Sequence, residues 1–188
     1  MVEHARPAQP WHVLLRAVHW VMVLLIVALM TLGWIAENSP LSLAKVELFQ
    51  WHKSLGIVAL VMVVVRIGLR LYLGRPRHEP MTGRSQRNIA TLTHTALYGL
   101  MIAMPVSGWI INSAANFPFK LFGLIPLPAL TGPDKAVQSF AEWAHLGFFW
   151  VFLGLIVLHA GAALYHHVVL RDGILAAMTS GFRRGGNP

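Results

Sequence analysis

Ten histidines stand in a chain that has no cysteine. Three of them, His145, His159 and His166, are spaced 14 and 7 residues apart on one apolar stretch. On an α-helix, 14 steps fall about 40° short of four turns and 7 steps about 20° short of two. All three imidazoles therefore leave one stripe of one helix. His145 and His159 are about 21 Å apart along that axis, which sets one toward each side of a hydrocarbon layer about 30 Å thick. Ionisable groups inside a bilayer are costly and point to function, and neutral imidazole is a ligand for iron. The spacing predicts two haem groups stacked across a membrane. Without cysteine there is no covalent c-type haem, no thiolate-held iron–sulfur cluster and no disulfide. A redox cofactor has to be held by histidine or methionine. None of the eight methionines has the spacing of an axial ligand, so they read as packing.

The elements that must position these rings are legible in the composition. Only 12% of residues are charged and 56% are hydrophobic, whereas a soluble domain carries about 25% charge. Four apolar runs, 13–35, 50–72, 90–112 and 141–165, are long enough to span a bilayer. The chain is predicted to be an all-α integral membrane protein, a four-transmembrane-helix bundle forming one domain over residues 1–188. The first run exceeds the apolar region of a signal peptide, and no small-residue cleavage site follows it. Asn38, Ser39 and Pro40 end the first helix, and Gly74, Pro76 and Pro80 close the second. Pro105 predicts a kink in the third. The loop 113–139 contains Phe117, Phe119, Leu121, Phe122 and Leu124. It is apolar enough to lie on the membrane or cover a cofactor. The first twelve residues read as frayed, and 171–188 as a polar, mobile tail. Trp11, Trp34, Trp51, Trp109 and Trp143 fall near predicted helix ends, as interfacial anchors do.

The net charge of +8 does not point to nucleic acid, because of its distribution. Every arginine lies in the N-terminal arm, the 66–87 region or the C-terminal tail, and the opposite side has only Lys45, Lys53, Lys120 and Lys135. The positive-inside rule puts both termini and the 73–89 loop in the cytoplasm, with 36–49 and 113–139 outside. Arg75, Arg77, Arg84 and Arg87 read as topology signals beside anionic membrane lipid.

With this topology the histidines pair by depth. His52 and His145 lie near the outside, and His19 and His159 near the inside. Two axial histidines saturate an iron, which then transfers electrons and does not bind oxygen. A competing arrangement puts His94 on the inner iron in place of His19. Otherwise His94 and His166, which share the inner depth, flank a quinone pocket. A quinone takes two electrons and two protons, and imidazole exchanges protons near neutral pH. Gly33 is 14 residues after His19, Gly108 is 14 after His94, and Gly56 is one turn after His52. They offer room for a flat macrocycle or for close helix contact. Arg16, Lys53 and Arg66 are placed to pair haem propionates or a quinone headgroup, or to snorkel to lipid phosphate. His4, His12, His78 and His167 receive no role. Single intramembrane histidines often serve only as hydrogen-bonding groups, but four matched in depth argue for ligation. A divalent-metal carrier would need intramembrane carboxylates, and only Glu142 lies within a predicted span, at its edge.

Four segments carry a likeness to a known family: Arg16-Ala17-Val18-His19-Trp20, His52-Lys53-Ser54-Leu55-Gly56 with Arg66 and Arg70, His94 through Tyr98, and His159 through His167. From about residue 12 to 180 the chain resembles the bacterial cytochrome b561 family, small dihaem membrane cytochromes of the inner membrane. Met81-Thr82 and the segment 118–123 are also similar to that family. The resemblance implies two b haems on the four ligands above and a ubiquinone site near His94 and His166 at the cytoplasmic face. Some members look like superoxide oxidases, which take an electron from superoxide at the periplasmic face and reduce quinone. Related subunits instead serve as a membrane anchor and electron relay in a larger dehydrogenase or hydrogenase complex. On the outer face the four lysines oppose Glu37, Glu47, Asp134 and Glu142, so the count favours no net field. Convergence around Lys53 would steer a small anion. Otherwise a docked redox protein is the expected donor.

Overall fold

The computed structural model describes residues 10–74 and 83–179. The expectations for His4, Arg75, Arg77, His78, Met81, Thr82 and both extreme ends lie outside the described residues.

Four helices are long and apolar enough to cross a membrane: α1 (Val13–Asn38), α2 (Leu43–Leu73), α3 (Arg84–Ala114) and α4 (Lys135–Tyr165). A helix of 31 residues is about 46 Å long and overshoots a hydrocarbon core of about 30 Å. The helices therefore extend beyond the apolar runs, and capping residues fix where they begin. Asp134 accepts from the Ala136 and Val137 amides, so α4 starts at Lys135, ahead of the apolar run at 141. Ser42 caps α2 through the Lys45 amide, and the His12 ring accepts from the Leu14 amide to cap α1. His12 thus has a structural part. Gly74, at φ +70°, ends α2.

Helices adjacent in sequence pack side by side: α1 on α2, α2 on α3, and α3 on α4, with little direct backbone contact between α1 and α4 among the described residues. Few side chains are buried; Leu15, Met22, Val63, Leu97 and Phe152 mark the helix contacts. Much of the apolar surface faces outward, with Leu24 72% exposed and Leu158 65% exposed. A bilayer serves as the apolar solvent for such a surface, so helix contact need not bury it. Across the α1/α4 seam, Trp34 stacks on Phe149 at 6.4 Å and meets Trp150 edge-on. Trp34 is thus held by partners within the bundle.

The long loop contains a β-hairpin that the alternation of so short a segment could not announce. Strands β1 (Phe119–Leu121) and β2 (Ile125–Leu127) pair antiparallel, with Leu121 opposite Ile125. The reversal uses Phe122 and Gly123, both at positive φ. Buried polar groups of the bundle fasten the loop. Ser54 Oγ accepts the Phe122 amide at 2.9 Å, and Ser113 Oγ accepts the Leu130 amide at 3.0 Å. Asn112 donates to the Phe117 carbonyl at 2.7 Å, and the Trp109 indole donates to the Pro128 carbonyl at 2.9 Å. Buried polar atoms need such partners.

The tail departs from expectation. One π-helical turn, His166–Leu170, continues α4. The chain reverses at Arg171 and Gly173, both at positive φ, and a short helix, α5 (Ile174–Thr179), folds back. The Trp11 amide donates to the Ala177 carbonyl at 3.1 Å, and the Trp20 indole to the Met178 carbonyl at 3.2 Å. The Arg70 guanidinium lies 4.2 Å from the Trp11 ring centre. Burial of Ala177 and these contacts supply what a six-residue helix lacks in isolation.

Candidate functional site

The four paired-by-depth histidines come from three helices. The rings of His52 on α2 and His145 on α4 have centres 6.3 Å apart with planes crossed at 78°. Those of His19 on α1 and His159 on α4 are also 6.3 Å apart, crossed at 77°. All four are half-buried. A metal–imidazole bond is about 2.0–2.1 Å, and a five-membered ring with sides near 1.35 Å places its centre about 1.1 Å behind the ligating nitrogen. Two imidazoles on opposite sides of one ion are thus about 6.3 Å apart, centre to centre. Both pairs have that separation. The described residues contain no cluster of three or more histidine, cysteine or acidic side chains suited to a metal ion. Pairs suit an ion whose remaining positions are filled by a macrocycle, and the donor set fits haem.

At the His52 end the ring orientations are set by the second nitrogen. His52 Nδ1–H donates to the Leu29 carbonyl at 3.0 Å. That carbonyl lies one turn before Gly33, where no side chain blocks the approach. A Cβ at Gly33 would stand 2.9 Å from His52 Cε1 and 3.2 Å from Nδ1. His145 Nδ1 lies 2.8 Å from Ser107 Oγ, whose hydroxyl donates to the Met104 carbonyl at 2.9 Å. The single hydroxyl proton being committed, His145 Nδ1–H is the donor to Ser107. In both residues Nε2 is left with a free lone pair, the form that ligates a metal. Gly108 faces His145, with an added Cβ at 3.5 Å from Cε1. These two glycines cradle imidazole rings, a use the sequence spacing did not separate from room for a macrocycle.

The basic candidates divide by surroundings. Lys53 donates to Asn112 Oδ1 at 3.0 Å and lies 5.5 Å from the Phe119 ring, tucked under the hairpin. Lys45 donates to the Glu37 and Ser39 carbonyls and so neutralises the end of α1. At the His19 end, Arg66 donates to the Tyr98 hydroxyl at 3.1 Å and to the Leu15 carbonyl at 3.0 Å. Arg16 Nε is buried with no hydrogen-bond partner, an unpaired donor that an anion such as a propionate would satisfy.

His94 and His166 are placed differently from each other. The His94 ring lies 5.1 Å from His159, inside the separation of two opposite ligands. His166 instead hydrogen-bonds through Nδ1 to the carboxylate of Asp172. Asp172 was not singled out by the sequence. Its signal was an isolated acid beside Gly173, six residues past a histidine and shortly beyond the last span.

A four-helix membrane bundle with imidazoles facing each other in pairs is the build of a membrane cytochrome. The sequence model of prokaryotic cytochrome b561 matches residues 10–181. Cytochrome b561 homolog 2 of Escherichia coli (strain K12) is 30% identical over 163 residues, covering 86% of this chain and 87% of that protein. Cytochrome b561 homolog 1 of the same strain is 27% identical over 169 residues, covering 85% and 91%. A protein of Yersinia pestis named probable superoxide oxidase CybB is 29% identical over 161 residues, covering 86% and 90%. The chain belongs to the prokaryotic cytochrome b561 family, bacterial multi-pass membrane proteins that bind b-type haem and transfer electrons.

Proposed function

We propose that this protein is a dihaem cytochrome of the bacterial inner membrane, carrying electrons between a periplasmic donor and ubiquinone at the cytoplasmic face. The observation that carries the reading is the repeated 6.3 Å separation, once for His52 with His145 and once for His19 with His159. The orientation is supported by the arginines, which gather toward the His19 end, while the His52 end carries only lysines. When bound, each haem supplies one-electron exchange at an iron closed to oxygen by two histidines.

The chain's own residues hold that chemistry in place. His52 and His145 are fixed in one tautomer by Leu29 and Ser107. Arg16 and Arg66 supply positive charge for propionates at the inner end, and Lys53, which would have to leave Asn112 to do so, is assigned to those at the outer end. Superoxide as the donor is supported by the name of the Yersinia relative. Lys45 and Lys53 are turned into intramolecular hydrogen bonds, so a small anion would be drawn by few free lysines. His94 and His166, both toward the inner end, are the residues assigned to the quinone.

A dithionite-reduced minus oxidised spectrum of the detergent-purified protein, with pyridine haemochrome quantitation, tests the proposal. Low-spin b-type bands at about two haems per chain support it. One haem per chain overturns the dihaem assignment. A stoichiometric co-purifying dehydrogenase or hydrogenase subunit would favour the relay-subunit alternative.

A further inference from the structure

We infer that His166 and Asp172 form a proton-transfer dyad for the quinone, in which His166 exchanges the proton and Asp172 is the positioning residue. This rests on the proposed quinone reading and names a residue that reading does not contain.

Both carboxylate oxygens of Asp172 are committed. One hydrogen-bonds His166 Nδ1, and the other accepts the Ile174 amide at 3.1 Å, capping α5. The cap alone would need only one oxygen. The backbone between the two residues is shaped to bring them together. α4 widens into a π-turn over His166–Leu170, and Arg171 and Gly173 then adopt positive φ. π-turns are rare and recur at functional sites. The return segment is pinned to α1 through Trp11 and Trp20, and Trp20 neighbours the ligand candidate His19. The dyad thus belongs to the segment that closes the bundle beside the inner histidine pair. Side-chain exposures of 16% for His166 and 21% for Asp172 allow water to reach the pair while the protein holds it. Tyr165 is the other titratable ring in contact, at 6.2 Å. His167 and Arg171 share the segment and are exposed, and α5 contributes no titratable group.

A carboxylate that accepts Nδ1–H leaves Nε2 as the nitrogen that trades protons. Reduction of a quinone consumes two electrons and two protons. Haem held by the paired histidines would supply those electrons one at a time. At one of the two proton transfers the His166 Nε2–H bond breaks as an O–H bond forms on the nearer quinone oxygen, and cytoplasmic water returns that proton to the imidazole. The other oxygen takes its proton from the far side of the ring, the side the quinone reading gives to His94. Asp172 keeps hold of Nδ1 and orients the ring, as the aspartate of a catalytic triad does. In the reverse direction Nε2 takes the proton from a quinol.

The test is stopped-flow reduction of the oxidised holoprotein by a short-chain ubiquinol, with wild type, Asp172→Asn, Asp172→Glu and His166→Gln. Asparagine can keep the cap through its oxygen but presents N–H to His166, forcing the wrong tautomer. The expected result is haem reduction by quinol slowed about 10²-fold in Asp172→Asn and His166→Gln, with partial recovery in Asp172→Glu. The slowed step should show an enlarged solvent deuterium isotope effect. Haem content and reduction by dithionite should match wild type. A wild-type quinol rate in Asp172→Asn overturns the dyad while the quinone reading stands. Equal slowing with quinol and dithionite, or loss of haem in both Asp172 variants, shows a purely structural aspartate and also overturns it. A wild type that quinol does not reduce overturns the quinone reading, and the dyad falls with it.

Discussion

The imidazole of His52 rests on the bare backbone of Gly33, so closely that a Cβ there would stand 2.9 Å from Cε1. The same face of α1 supplies the Leu29 carbonyl that orients the ring. Gly33→Ala should therefore displace His52 and lower haem content by about one per two-haem chain, with the inner haem retained. Alanine favours a helix over glycine by about 1 kcal/mol, so a loss of haem would come from the clash at the ring. Gly108→Ala, whose Cβ would meet His145 at an ordinary 3.5 Å, should keep both haems. Pyridine haemochrome assays of the two variants check the contrast, and equal haem loss in both would contradict it.

Single alanine variants of His52 and His145 should each remove the outer haem, and those of His19 and His159 the inner one. His94→Ala should retain both haems. Its ring is 5.1 Å from His159, short of the about 6.3 Å that opposite ligands require. Haem loss in the His94 variant together with retention in the His19 variant would reassign the inner ligand.

Ser107 is buried and accepts the His145 Nδ1 proton. Ser107→Ala removes that acceptor and leaves the ring held by the Met104 carbonyl alone. Partners of metal-bound histidines are worth about 10–100-fold in affinity, so haem at the outer site should be released to an apo-acceptor by about that factor more readily. Under the dihaem proposal, haem at the His19 and His159 pair serves as the internal control.

Ser54 is 1% exposed, and its hydroxyl accepts the Phe122 amide of the hairpin. Ser54→Ala should cost about 0.5–1.5 kcal/mol, the net worth of an ordinary hydrogen bond, since the freed Phe122 amide is part-exposed. The loss should appear as faster proteolysis within 117–127 and a lower unfolding temperature. Ser113→Ala, which frees the Leu130 amide, should act in the same sense at the other end of the loop.

The four spans were legible because length and apolarity are local properties. The stripe formed by His145, His159 and His166 was legible because the helical period is local too. Depth, read from distance to a helix end, proposed which histidines to compare. The loop hairpin and α5 were not legible, since each is short and held by residues remote in sequence, Ser54 and Trp109 for one and Trp11 and Trp20 for the other.

Depth carries no rotation about a helix axis. Only the packed bundle could decide that Gly33 meets His52, that Gly108 meets His145, and that His94 turns toward His159. Those relationships depend on the azimuth at which neighbouring helices contact. The pairing of His166 with Asp172 has a different origin. It needs the chain to reverse through two residues at positive φ after a π-turn, and a reversal of that kind is stabilised by the helix it docks against. The sequence by itself determined which segments are long and apolar enough to cross a membrane and how far each imidazole lies from a helix end. The tertiary structure decided which atoms face each imidazole, because that choice is made by contacts between helices.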